Sequence, residues 1–287
     1  MRDGWRVRRL ALPPGPRGSL LFVGGRGDFA EKYAETLRDW ADAGRGVATF
    51  DHRGQGGSGR FLADTQKGHA PGFEPWLADL AEHVDWFRAH YPAPHFAVAH
   101  SMGAHLLLRH LEARPGDFAR AVLLSPMFGL AAKPVGPWLA RRVAEVACAL
   151  GIGERYAPGS GPIARGEPGS ARQRLLTGDA ARYADEGWWV ARHPGLGIGG
   201  VTNGWLASAF ASMDAALAGD RLAGVTTPLL LLAAGDEGLV DNAATARAAA
   251  RLREARLEVI AGAGHELLRE TDAIRDAVLA RIGAFLA

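Results

Sequence analysis

The stretch Val98-Ala-His-Ser-Met-Gly-Ala104 sets Ser101 between a short apolar run, His95 to Ala99, and a run of helical period, Ser101 to Ala113. The first reads as a buried strand and the second as a helix, so the chain must turn sharply at the serine. So tight a turn leaves almost no room for side chains two positions before and after it. Gly103 meets that demand fully, and Ala99 adds one methyl, giving the pattern A-x-S-x-G. The turn pushes a hydroxyl out of the sheet and aims the first helical amides at whatever it attacks, which is what a weak nucleophile needs. A serine that merely caps a helix has the same local spelling; the strand run before it separates the two readings.

The same alternation runs along most of the chain. Leu20 to Val23, Val47 to Phe50, His95 to Ala99, Ala121 to Leu124, Leu229 to Ala233 and Leu257 to Ala261 read as strands. Glu31 to Ala43, Glu74 to His90, Ser101 to Ala113, Asn242 to Leu252 and Ala273 to Leu286 read as helices. This order predicts an α/β fold, a mostly parallel sheet with helices on both faces. The rhythm fails between Met127 and Leu222, where Gly/Pro-rich stretches alternate with helix-like segments such as Trp138 to Leu150 and Gly204 to Leu217. Residues 127–222 are therefore read as a helical cap inserted over the strand ends, and residues 1–126 and 223–287 as the core, because Thr227-Pro-Leu-Leu-Leu-Leu restores the sheet pattern. A chain of 287 residues, 48% hydrophobic, is long enough for one such domain with an insertion.

Several classes are disfavoured. The formal charge is +2 and the 33 basic residues are scattered, so no nucleic-acid partner is expected. Cys148 is the single cysteine, and His265-Glu266 alone offers too few ligands for zinc, so neither metal nor disulfide is expected. Gly24-Gly-Arg-Gly27 lacks the Lys-Ser/Thr ending of a phosphate loop and the spacing of a dinucleotide site, so no nucleotide cofactor is expected. In the basic N-terminal stretch Met1 to Leu10, the following Pro13, Pro14 and Pro16 interrupt any signal-peptide hydrophobic region. No apolar run reaches the roughly 18 residues of a spanning helix. A cytoplasmic location is expected, with peripheral contact with a membrane compatible with the basic pI. Oligomeric state leaves no mark in the sequence.

Four blocks carry a resemblance: Phe22-Val-Gly-Gly-Arg-Gly-Asp28, Phe50-Asp-His-Arg-Gly-Gln-Gly-Gly-Ser58, Ala99-His-Ser-Met-Gly103, and Ala234-Gly-Asp-Glu-Gly-Leu-Val-Asp-Asn242 followed by Gly262-Ala-Gly-His-Glu266. Together they resemble the serine hydrolases of the α/β-hydrolase fold, in the branch containing lysophospholipase L2 and monoacylglycerol lipase. The order nucleophile, acid, histidine is that of the fold. The resemblance implies Ser101 as nucleophile and His265 as base, chosen from ten histidines. His100 is expected to point to the opposite side of its strand. His105 and His110 face along the following helix, and His69, His83, His90 and His193 are read as solvated.

The acid lies in the turn after the Leu229 to Ala233 strand. The family pattern aligns Glu237, with Asp236 and Asp241 as alternatives, since a shift of one residue changes which side chain faces the histidine. The oxyanion donors implied are the backbone amides of Met102 and Arg26, with Gly24, Gly25 and Gly27 allowing close approach. Asp51 and Arg53 are read as scaffold in the Asp51 to Ser58 turn.

Substrate choice rests on the cap, where Phe128, Trp138, Trp188, Trp189, Trp205 and Phe210 either line an acyl pocket or form the cap's own core. The resemblance implies a monoacyl lipid ester, lysophospholipid before monoacylglycerol, while small esters, thioesters and lactones suit the same machinery. A serine at position 101 disfavours the relatives that use a carboxylate nucleophile. The Arg26 side chain either meets a lipid phosphate or pairs with Asp28 or Asp51. The rival of a different class is a lipid-binding homologue without catalysis.

Overall fold

A computed structural model describes residues 5–162 and 168–287. Met1 to Gly4 of the basic N-terminal stretch lie outside the described residues. Among the described residues seven strands form one sheet: β1 (Arg9–Ala11), β2 (Ser19–Val23), β3 (Gly46–Phe50), β4 (His95–His100), β5 (Arg120–Leu124), β6 (Leu229–Ala234) and β7 (Ala255–Ile260), in the order β1-β3-β2-β4-β5-β6-β7. β1 runs antiparallel to β3 and every other pair is parallel.

Side chains alternate across the sheet and sort into two cores. Leu20, Phe22, Val98, Val122 and Leu230 pack against Leu37 and Trp40 of α1 (Ala34–Asp42) and Val278 and Ile282 of α9 (Asp272–Phe285). Leu21, Val23, Ala97, Leu123 and Leu231 face α2 (Glu74–His90), α3 (Met102–Ala113) and α8 (Asn242–Ala249). A strand buried on both faces is apolar at most positions, which is why these strands read as near-continuous apolar runs. Each fully buried Leu or Phe contributes about 1.5–3 kcal/mol.

The expected α/β fold is therefore the one found, and its departures from the sequence reading are local. β1 was not foreseen: three residues beginning with an arginine give no periodicity, and its short, half-exposed form suits a sheet edge. The run from Glu31 splits into a 3-10 turn, Ala30–Tyr33, and α1. Between β5 and β6 the described residues hold α4 (Pro137–Ala149), α5 (Ala171–Leu176), α6 (Ala180–Arg192) and α7 (Asn203–Leu217). α5 and α6 start at the side-chain caps Ser170 and Asp179. α4 lies along α7, which reaches α3.

The chain passes from β2 to β3 on one side of the sheet and to β4 on the other. Loops at the carboxyl ends of β2 and β4 thus diverge and open a crevice, the usual ligand position in such sheets. Among the described residues no helix is long and apolar enough to cross a membrane.

Candidate active site

Ser101 follows β4 directly, with φ 51° and ψ −114°. A non-glycine residue held there costs about 1–3 kcal/mol, so its surroundings must impose it. The Ser101 amide donates to Leu124 O (2.9 Å), and its carbonyl accepts from His105 N and Met127 N (both 3.1 Å). A Cβ on Gly103 would collide with the backbone carbonyls of Val23 and Gly24, because the start of α3 crosses the end of β2. Backbone cannot swing aside as a side chain can. Gly103→Ala is therefore expected to destabilise the fold by about 1–3 kcal/mol in urea unfolding and to displace Ser101.

His265 Nε2 lies 2.9 Å from Ser101 Oγ, and its Nδ1 lies 2.8 Å from Glu237 Oε2. The other Glu237 oxygen accepts from the amides of Gly238 (2.9 Å), Leu239 (2.7 Å) and Val240 (3.2 Å). Burial pushes the Glu237 carboxyl up, but the hydrogen bond and charge of His265 and the Leu239 and Val240 amides outweigh it and hold it below its ordinary value. An ionised Glu237 requires Nδ1 to carry a proton, so neutral His265 offers its Nε2 lone pair to the serine hydroxyl. The two alternatives point elsewhere. Asp236 is exposed. Asp241 caps α8 through Ala243 N (2.8 Å) and approaches Arg247 (3.4 Å).

The loops bearing Glu237 and His265 are clasped by α5. His265 N donates to Leu175 O (3.1 Å) and Glu266 N to Leu176 O (2.8 Å). Gly264 and Gly238 leave the space into which the Leu176 backbone and Leu175 side chain fit.

The glycine loop after β2 is fixed from below. Asp28 Oδ2 accepts from Gly25 N (2.6 Å) and Tyr33 OH (3.1 Å), and Gln55 bonds Gly25 O (2.7 Å) and Gly27 N (3.1 Å). Among the described residues neither the Arg26 nor the Met102 amide donates to another protein group.

His100 corrects an expectation. It does not point away from Ser101's side: its Nδ1 is 2.9 Å from Asp28 Oδ2, its Nε2 is 3.3 Å from the His265 carbonyl, and it lines the same cavity as Ser101. Alternation holds only in extended backbone, and the Ser101 turn breaks it. His83 is likewise not solvated: it stacks on Phe50 at 4.0 Å, and burial, with Arg9 beside it, pushes its pKa down to about 3. His105 bonds Ser212 (2.7 Å) and His110 meets Asp117 (2.8 Å).

Behind the serine lies a buried ion cluster that sequence reasoning missed. Lys32 Nζ sits 2.9 Å from Asp28, 3.1 Å from Glu186 and 2.6 Å from Glu266. Arg269 joins Glu266 (2.9 Å), and Arg172 joins Glu186 (2.9 Å). Burial raises the carboxyl pKa values, but Lys32 prevails at both Asp28, helped by His100, and Glu266, helped by Arg269. Asp28 is held well below its ordinary value and Glu266 at about 2. The one sequence signal was the i, i+4 spacing of Asp28 and Lys32.

Asp28, Lys32, Arg172, Glu186 and Glu266 of this cluster, with Ser101 and His265, line a cavity of about 610 Å³, within the usual range for small-molecule sites. Of the aromatics expected to line it only Trp205 is on its wall; the apolar wall is mainly aliphatic, including Leu130, Leu176, Val190, Ile198 and Leu206. Phe128 and Phe210 are packed in the sheet core, and Trp189 lies against the Phe29 cluster. Trp188 is 46% exposed and Trp138 71% exposed. Large rings filled the helix packing and left the cavity to smaller side chains. Arg26 pairs with neither Asp28 nor Asp51: Lys32 and His100 hold the first, and Arg8 (2.5 Å) the second. Arg53 pairs with Asp79 (2.5 Å). Among the described residues no group of three or more His, Cys, Asp or Glu is placed to hold a metal.

Residues 14–272 match the family described as serine aminopeptidase, S33 (Hydrolase_4). The chain is similar to lysophospholipase L2 of Escherichia coli strain K12, with 34% identity over 93% of this chain and 79% of that protein. It is also similar to a probable lysophospholipase L2 of Haemophilus influenzae, with 32% identity over 94% and 84%. Among solved structures, the monoacylglycerol lipase of Paleococcus ferrophilus superposes with a TM-score of 0.75 at 20% identity, covering 98% of each chain, a likeness of fold. The chain therefore belongs to the Hydrolase_4 family, serine aminopeptidase S33, and is a serine hydrolase of carboxylic esters with the α/β-hydrolase fold.

Proposed function

We propose that Ser101, His265 and Glu237 are the catalytic triad and that the substrate is a lysophospholipid. The observation that carries the first part is the unbroken chain from Ser101 Oγ through His265 to Glu237, at 2.9 and 2.8 Å. Names borne by the relatives and the aliphatic part of the cavity wall support the second.

In this mechanism Ser101 Oγ bonds to the ester carbonyl carbon while its proton passes to His265 Nε2. The carbonyl oxygen takes the electron pair and is held by the Met102 and Arg26 amides; Glu237 stabilises the imidazolium. The carbonyl re-forms, the bond to the glycerol oxygen breaks, and His265 protonates that oxygen. Water then loses a proton to Nε2 and attacks the acyl ester, releasing the fatty acid and returning the proton to Ser101.

Residues 127–222 act as a cap over the crevice, with α5 gripping the Glu237 and His265 loops. The exposed apolar side chains of this segment, Trp138, Leu139, Val143 and Val146 along α4 and Leu150 just after it, suit contact with a lipid surface. We place that contact at the cytoplasmic face of a membrane.

Glu237→Gln removes the negative charge while keeping the shape. It is expected to lower kcat about 10³–10⁴-fold with little change in stability, read from steady-state ester hydrolysis. Equal turnover would remove Glu237 from the triad. The substrate reading is tested by fatty-acid release from a lysophospholipid and a monoacylglycerol of the same chain, with Ser101→Ala as control. Faster serine-dependent release from the phospholipid is expected; preference for the neutral lipid would overturn the headgroup assignment.

A further inference from the structure

The cavity wall carries three carboxylates, Asp28, Glu186 and Glu266, and each already has cations within 3.1 Å, from Lys32, Arg172 and Arg269. Arg26, on the same wall and on the loop beside Ser101, has no ion-pair partner among the described residues. One terminal nitrogen donates to the Gly199 carbonyl, and the Trp205 ring lies 5.8 Å from the guanidinium carbon. Gly68 leaves the space it fills, since a Cβ there would fall on the guanidinium. Nε is sealed from solvent with no acceptor.

A guanidinium withdrawn from water without a counter-charge is costly to keep. Burial, with the Arg172 charge adding to it, lowers its pKa to about 10, which still leaves it cationic at neutral pH. Among the described residues no anion pairs with it, so the missing charge is one a ligand in the cavity would bring. Arginine suits phosphate because its remaining N–H donors form a planar fork.

We propose that the Arg26 side chain, in the positive field of Arg172, binds the phosphodiester of a lysophospholipid whose ester lies against Ser101. This rests on the ester-hydrolase reading above and names its headgroup contact. In such a lipid only the glycerol backbone separates the phosphate from the carbonyl, a span comparable with an arginine side chain. One residue then meets both ends of the headgroup, the oxyanion with its amide and the phosphate with its guanidinium.

The test uses Ser101→Ala protein, which binds without turnover, titrated calorimetrically with monomeric octanoyl lysophosphatidylcholine and with octanoylglycerol. The phospholipid is neutral overall, so a preference for it reports local contact with phosphate. It is expected to bind about 10–100-fold tighter, the worth of charge-assisted hydrogen bonds. Arg26→Gln in the same background should erase that ratio, and Arg26→Lys should keep part of it. Equal affinity for the two lipids, or a ratio that survives Arg26→Gln, overturns the proposal. So does inorganic phosphate displacing octanoylglycerol with the same dependence on Arg26, which would make the site one for free phosphate. A ratio of two ligands is insensitive to general damage in a variant, and a ratio lost equally in Arg26→Lys and Arg26→Gln also counts against the fork. Failure of the ester-hydrolase reading would show separately, as no Ser101-dependent turnover of p-nitrophenyl butyrate by the unaltered protein.

Discussion

Ser101→Ala is expected to lower ester turnover about 10⁴–10⁶-fold. The proposed mechanism routes the whole reaction through one oxygen, and the remaining oxyanion donors and binding surface retain only a small residual acceleration over water. Stability should barely change, because alanine is no easier than serine to hold at φ 51° and the hydroxyl's hydrogen bond to His265 is a single contact. Ser101→Gly separates the two demands: glycine accepts the left-handed backbone freely, so this variant should be equally inactive yet more stable, by about 1 kcal/mol. Steady-state kinetics and urea unfolding of both variants check this. Substantial turnover by Ser101→Ala would place the chemistry elsewhere in the cavity.

Lys32→Met is expected to destabilise the fold by about 3–5 kcal/mol near neutral pH. The ammonium neutralises Asp28, Glu186 and Glu266, and all three carboxylates are about nine-tenths or more buried. Without it Asp28 keeps His100, and Glu186 and Glu266 keep Arg172 and Arg269, so one cation fewer faces the same acids. The pH dependence has a definite sign. Glu266, held at about 2 in the folded protein, contributes stability above its ordinary value near 4.5 that is lost as pH falls toward 2. Lys32 is raised above its ordinary value, so its contribution is full below about 10.5 and fades only above that. In Lys32→Met the carboxyl pKa values move up, so acid relieves the unpaired charge. The deficit against the unaltered protein should shrink between pH 8 and pH 5 in urea unfolding. A deficit of the same size at both pH values would contradict the ion-cluster account. The variant should also lose activity, since Asp28 holds the Gly25 amide and Glu266 adjoins His265.

What the sequence made legible follows from how local each determinant is. β2 to β6 announced themselves because strands buried on both faces are apolar at most positions, and α2 ran from Glu74 to His90 as its period indicated. Gly103 was legible because its need for space comes from a neighbouring backbone that any such turn brings close. The family pattern put Glu237 first, but Asp236 and Asp241 stayed open as alternatives, since three acids in one turn differ only in direction. That direction is set by the Gly238 to Val240 amides that grip Glu237 Oε1. The Lys32 cluster joins residues more than 200 positions apart, and its one local trace is the i, i+4 spacing of Asp28 and Lys32. Aromatic content misled the reading of the cavity wall because rings are as useful for packing as for binding. Phe128 and Phe210 went to the core and Trp205 to the wall.

The central claim, that His265 and Glu237 activate Ser101, is tested most directly by covalent labelling with a fluorophosphonate followed by intact-mass and peptide-mass measurement. The account predicts one adduct per chain, on Ser101, absent in Ser101→Ala and formed far more slowly in His265→Ala and Glu237→Gln. An unlabelled protein, an adduct on another residue, or labelling at an unchanged rate in His265→Ala would contradict it.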